Sequence, residues 1–271
     1  MKRIVLLLVV VVAGASAMLL RTSRPAAPAV LTVTARDYAF EAPDSVAAGM
    51  TTIHLVNQGP EFHHVQLLRL DGGHTVAEYL EALRTGAPPA WATDLGGPNT
   101  PMPGGTSDVT VNLEPGNYAI VCHIPSPDGV PHIAKGMMHE FVVTGTAPAT
   151  VAFEPDVEVT LSDYDFTMSR PLAAGTQRIR VRNAAAQPHE ILLIQLAEGK
   201  TGADFLQWFA TQQGAPPAVP VGGTTAISTG GTNDLTVDLA AGDYLLICFI
   251  PDAKDGKPHF VHGMVKTITI G

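Results

Sequence analysis

Two stretches of this 271-residue chain carry the same three metal-competent side chains in the same order. The first runs from Cys122 through His132 to Met137, and the second from Cys248 through His259 to Met264. The spacing is Cys-x9-His-x4-Met in one and Cys-x10-His-x4-Met in the other. Thiolate, imidazole and thioether on a single loop suit copper, because soft sulfur and imidazole donors select it over hard cations. A trigonal copper site needs a second imidazole, and each half of the chain has one upstream. His63 follows Asn57-Gln-Gly-Pro-Glu-Phe, and His189 follows Asn183-Ala-Ala-Ala-Gln-Pro. One candidate ligand set is therefore His63, Cys122, His132 and Met137, and the other His189, Cys248, His259 and Met264. One copper ion is expected in each.

The two sets belong to a wider repetition. An offset of 126 residues relates His63 to His189, Leu70 to Leu196, Gly104-Gly105 to Gly230-Gly231, Tyr118 to Tyr244 and Cys122 to Cys248. Agreement at independent points implies a tandem duplication. The same offset separates His63 from its neighbour: His63 matches His189, whereas His64 matches Glu190. Adjacent strand residues point to opposite faces, so His63 should face the metal, and Glu190 should point away from it. His54, His74, His123, His139 and His262 have no histidine counterpart and read as surface or supporting residues.

The elements that must hold these ligands are mostly strands. Leu31-Thr-Val-Thr-Ala, Asp108-Val-Thr-Val-Asn-Leu, Val157-Glu-Val-Thr-Leu and Asp234-Leu-Thr-Val-Asp-Leu alternate apolar and polar residues, as half-buried strands do. One helix interrupts each repeat. Thr75 and Thr201 are capping hydroxyls with an acid three residues later, Glu78 and Asp204. Val76, Tyr79, Leu80 and Leu83 share one helix face, as do Phe205, Leu206 and Phe209, and these faces read as packing. The fold class is all-β: two tandem Greek-key β-sandwiches, each with one inserted short helix.

Residues 1–20 open with Lys2-Arg3 and a nearly unbroken apolar run from Ile4 to Leu20, in which Met18-Leu19-Leu20 carries on past Ala15-Ser-Ala17. They read as a secretory signal cleaved after Ala17 or as an uncleaved N-terminal anchor, which places the protein in the periplasm or outside the cell. Residues 21–29 are a Pro/Ala-rich tether, 30–146 the first domain, 147–154 a linker and 155–271 the second domain. The formal charge is −9, from 16 basic and 25 acidic residues, with no basic cluster, so nucleic acid is not an expected partner.

At Gly116-Asn-Tyr118-x3-Cys122 and Gly242-Asp-Tyr244-x3-Cys248 the chain resembles the cupredoxins, or type 1 blue copper domains. The resemblance implies that a strand ends in the ligand cysteine and that the next loop supplies a histidine and an axial methionine. It implies an electron carrier whose partner is another redox protein. Two departures stand out. The Cys-to-His loop is long, more like that of the type 1 site in copper nitrite reductases. The residue after the first histidine, often asparagine in the family, is here His64 or Glu190.

Competing readings remain at this level. The cysteines could form a disulfide or be free buried thiols, and the fold could serve copper handling or metal-free interaction. A reductase or oxidase of this fold would need histidines flanking the cysteine to wire a catalytic copper. Val121 and Ile247 precede the cysteines, and only His123 follows one. An electron carrier is therefore expected over an enzyme. The sites are expected to differ, with Phe249 and Phe260 making the second drier and His123 making the first responsive to pH near neutrality.

Overall fold

The computed structural model describes residues 26–86, 88–211 and 213–271. The expected signal or anchor over residues 1–20 lies outside the described residues. Among those described, no helix is long and apolar enough to cross a membrane.

Period-two alternation produces the strands where the sequence shows it. In Ala29–Arg36, Leu31, Val33 and Ala35 are buried while Val30, Thr32 and Arg36 face out. In Thr106–Leu113, Val109, Val111 and Leu113 do the same. One layer of the first repeat carries, in spatial order, Ala39–Glu41, Ala29–Arg36, Gly49–Asn57 and Thr106–Leu113. The other carries Ser45–Ala47, Met138–Thr144, Gly116–Val121, Gln66–Leu70 and Ala92–Asp94. The second repeat has Asp165–Met168, Val157–Ser162, Gly175–Asn183 and Thr232–Leu239 in one layer. Its other layer is Ala218–Ile227, His189–Leu196, Gly242–Ile247 and Val265–Ile270. The fold is all-β, built of two sandwiches, with two α-helices among the described residues.

The sandwiches sit side by side, a point on which the sequence is silent. Thr106–Leu113 pairs antiparallel with Thr232–Leu239 at Thr110 and Asp234, which fuses two four-stranded sheets into one of eight. On the other layer, the segment 94–99 of the first repeat lies between strands of both. The Leu95 and Gly96 amides donate to Leu67 O at 2.9 Å and Ala226 O at 2.8 Å, and the Asn99 amide donates to Gly223 O at 3.1 Å. Gly223 has φ +133°, and a Cβ there would collide with the Ile191 carbonyl, so this close strand approach requires glycine. Apolar residues of both repeats, such as Val109, Val111, Leu235 and Val237, belong to one buried cluster.

Both helices start where the caps predict. Val76–Thr85 carries a full capping box between Thr75 and Glu78, and Gly202–Thr211 follows Thr201, whose hydroxyl accepts from the Asp204 amide at 3.2 Å. Val76, Tyr79, Leu80 and Leu83 pack on the sheet. Phe209 departs from the expected packing role: it is 38% exposed and stacks beside Phe249 rather than entering the core. The tether also differs at its end, since Ala26 pairs with Thr150 instead of hanging free.

Candidate metal centres

Each centre is built at the buried end of a strand, Gly116–Val121 or Gly242–Ile247. Tyr118 and Tyr244 anchor those strands, their hydroxyls donating to Glu114 O at 2.8 Å and Ala240 O at 3.0 Å. Cys122 and Cys248 follow directly after Val121 and Ile247, and both are completely buried. They are free thiols, which sets the disulfide reading aside.

The loop after each cysteine is folded by its own backbone. The His132 amide donates to Ile124 O at 2.9 Å and the Met137 amide to His132 O at 3.0 Å; His259 and Met264 repeat this with Ile250 O and His259 O at 2.9 and 3.0 Å. Each histidine opens a 3-10 turn, His132–Lys135 or His259–His262, closed by Gly136 at φ 103° or Gly263 at φ 106°. That left-handed residue explains why Gly-Met follows both histidines at one spacing. The Met137 and Met264 amides and carbonyls return to the ligand loops, the Cys122 and Cys248 amides donating to Met137 O and Met264 O at 3.2 Å each. Both methionines are completely buried.

The upstream histidines are placed by asparagine turns. Asn57 Nδ2 donates to Glu61 O at 2.8 Å and its Oδ1 accepts from the Gly59 amide at 3.0 Å. Asn183 does the same with Gln187 O and the Ala185 amide at 2.8 and 2.9 Å. These turns deliver His63 and His189, each fully buried, to the cysteines.

The predicted histidines and cysteines thus converge in two separate groups. His63, Cys122 and His132 have donor atoms all within 4.8 Å of one another, as do His189, Cys248 and His259. His63 Nδ1 lies 3.1 Å from His132 Nδ1, and Cys122 Sγ lies 3.5 Å from His132 Nδ1. In the second group Cys248 Sγ is 3.4 Å from His259 Nδ1 and 3.9 Å from His189 Nδ1. All four imidazoles turn Nδ1 inward to the sulfur.

Their outer nitrogens meet acids. His63 Nε2 lies 2.8 Å from Asp37 Oδ1, and His132 Nε2 lies 2.9 Å from Glu61 Oε2. His189 Nε2 lies 2.9 Å from Asp163 Oδ1, while His259 Nε2 faces Asp252 Oδ2 at 3.8 Å and has no closer partner. A carboxylate on the outer nitrogen fixes the ring's orientation and tautomer and makes the inner nitrogen a better donor. Tyr38 and Tyr164 cover His132 and His259 edge-on, at ring distances of 5.0 and 5.6 Å.

None of these supporting residues was singled out from sequence, although a signal exists. Asp37-Tyr38-Ala-Phe40 and Asp163-Tyr164-Asp-Phe166 recur at the same 126-residue offset. Glu61 and Asp252 escape that test because the acid changes place. Site one has Glu61 and Ser126 where site two has Gln187 and Asp252.

Electrostatics sets the protonation of these donors. Burial pushes the Cys122 thiol up to about 12, and burial reinforced by Glu190 raises Cys248 further. Both sulfurs are protonated unless a cation neutralises the thiolate. Burial also lowers His132, His189 and His259, the last to about 4, which keeps them neutral and able to donate a lone pair. Soft sulfur, neutral imidazole and a dry surround fit copper. A third group, Asp252, Asp255 and His262, is a hydrogen-bonded loop: Asp252 already accepts from the Lys254 amide, Tyr164 and Gln187.

One expectation is extended and one corrected here. Glu190 does more than stand clear of the metal. It is buried, its Oε1 accepts from the Phe249 amide at 2.9 Å, and its own amide faces Cys248 Sγ at 3.5 Å. His64 occupies the matching place in site one, its Nε2 accepting from the His123 amide at 3.0 Å. The departures from asparagine therefore keep a brace between the ligand segments. His123 is also no sensor near neutrality, because burial lowers it to about 4.

No protein-family model matches the chain, and no curated protein does. Solved structures do align. A reduced auracyanin from the photosynthetic bacterium Roseiflexus castenholzii is 21% identical, covering 44% of this chain and 100% of its own, with a TM-score of 0.32. A blue copper oxidase from Nitrosomonas europaea is 15% identical, covering 89% of this chain and 85% of its own, at TM-score 0.28. A copper-containing nitrite reductase from Thermus scotoductus is 12% identical, covering 89% and 61%, at TM-score 0.24. With paired β-sandwiches and two buried His-Cys-His groups that fit type 1 sites, the chain is cupredoxin-like.

Proposed function

We propose that this is an exported two-domain copper protein with one type 1 site per domain, working as a one-electron carrier for a redox partner protein. The observation that carries the reading is the inward turn of all four Nδ1 atoms toward two buried thiols, each ring braced or faced from outside by an acid. Copper held by His63, Cys122, His132 and Met137, and by His189, Cys248, His259 and Met264, would supply a one-electron couple. The chain's own residues hold the ligands still. The loops are closed at the Pro125–Pro131 and Pro251–Pro258 bridges, so little can rearrange when charge changes.

Carrier is favoured over enzyme by the flanks of the cysteines. Val121 and Ile247 precede them, Phe249 follows the second, and His123 packs against Tyr79 and His64. Export rests on Lys2-Arg3 and the apolar run after them. The functional test is stoichiometric reduction and reoxidation of the copper-loaded protein beside assays for nitrite and oxygen. Full reversible cycling with no consumption of either supports the carrier; steady consumption on the order of 1 per second overturns it.

A further inference from the structure

We propose that Asn99 is a positioning residue for the second metal centre, reaching it from the first repeat through Glu190. The inference rests on the reading of both centres as copper sites.

Glu190 is buried at 4% exposure, and a buried carboxyl needs hydrogen-bond partners. Oε1 takes the Phe249 amide at 2.9 Å, and Oε2 takes Asn99 Nδ2 at 3.2 Å. No lysine or arginine pairs with Glu190 among the described residues. Asn99 is itself buried and held: its Oδ1 accepts from the Thr100 amide at 2.8 Å, its amide donates to Gly223 O at 3.1 Å, and Nδ2 also reaches Thr224 O at 3.4 Å. A fixed amide from one repeat therefore orients the acid that braces Phe249, the residue next to Cys248, in the other.

Site one is built differently. His64 braces the His123 amide at 3.0 Å from within its own repeat. The residue 126 positions after Asn99 is Thr225, whose hydroxyl donates to Val65 O at 3.0 Å, a backbone atom two residues beyond His63. Both repeats thus touch the other's ligand segment, but only the second centre takes a side-chain donor onto its brace. The domain contact reaches the brace of site two and only the backbone beyond His63 in site one.

Removing the Asn99 donor frees the Glu190 carboxyl, and with it the hold on the Phe249 amide beside Cys248. In copper-loaded full-length protein, Asn99→Ala should move the site-two Cu(I)/Cu(II) ratio at fixed poise at least about threefold, with site one unmoved. Each site is read in a Cys122→Ser or Cys248→Ser background. A double-mutant cycle then separates a tuned site from a loosened interface. In Glu190→Ala, where the brace is gone, Asn99→Ala should produce less than half of that shift. A site-two ratio unchanged by Asn99→Ala overturns the proposal, as does an equal shift in both Glu190 backgrounds. If the unmutated protein shows no thiolate-to-copper band, the copper reading itself fails and takes the proposal with it.

Discussion

The displaced acid at the outer nitrogen of the loop histidine gives a quantitative test of how the ligands are held. Site one places Glu61 Oε2 2.9 Å from His132 Nε2, while Ser126, at the place of Asp252, is buried with an unpartnered hydroxyl. Glu61→Gln keeps the side chain's shape and exchanges a charge-assisted hydrogen bond for a neutral one. Such bonds contribute about 1.5–3 and about 0.5–1.5 kcal/mol, so the loss is about 1–1.5 kcal/mol. That corresponds to roughly tenfold weaker copper binding at site one. It sits at the low end of what outer carboxylates contribute to metal affinity, about 10- to 100-fold. Glu61→Gln with Ser126→Asp copies site two's residues into site one. Asp252 stands 3.8 Å from His259 Nε2, too far for a hydrogen bond, so the double variant should recover only part of the loss, through charge. Competition against a chelator of known affinity, in a Cys248→Ser background, reads site one alone. Affinity within about twofold of the parent in Glu61→Gln would refute the brace. So would a double variant no tighter than the single one.

Other consequences concern the frame that carries the sites. Tyr118→Phe and Tyr244→Phe should each lower stability by about 1 kcal/mol in urea unfolding, because each removes one hydroxyl donor to a backbone carbonyl and leaves the ring in place. Gly223→Ala should lower stability by at least about 2 kcal/mol in the same assay, since it forces a side chain onto the Ile191 carbonyl at a positive φ. Asp94 is raised to about 7 by burial, against a usual value near 3.8, so its favourable contribution is complete at low pH and fades as pH rises through that window. Between pH 4 and 7 stability should fall by up to about 1.4 kcal/mol per unit from this group. Asp94→Asn should flatten that slope, and an unchanged pH profile would remove Asp94 as its source.

The sequence disclosed what is local and what is repeated. Strand periodicity at Leu31, Val33 and Ala35, the Thr75 and Thr201 caps, and the paired Cys, His and Met spacings were all legible, because each depends on residues close along the chain. Asp37 and Asp163 were within reach, since they recur at the repeat offset. Glu61 and Asp252 were not, because the same contact is supplied from different segments in the two repeats. The role of Glu190 was not legible, because strand alternation sets only which face a side chain takes. It does not register the Phe249 amide and the Asn99 side chain waiting on that face. The side-by-side docking of the repeats depends on backbone pairing between residues such as Gly96 and Ala226, which carries no sequence pattern.

The central claim is that the chain holds two separate thiolate-copper centres, and titration of the reduced, metal-free protein with copper tests it most directly. The visible thiolate-to-copper band should grow to an end point at two ions per chain, and Cys122→Ser and Cys248→Ser should each remove one equivalent and leave the other site's band in place. No band, or a band lost entirely in either single variant, would contradict the account.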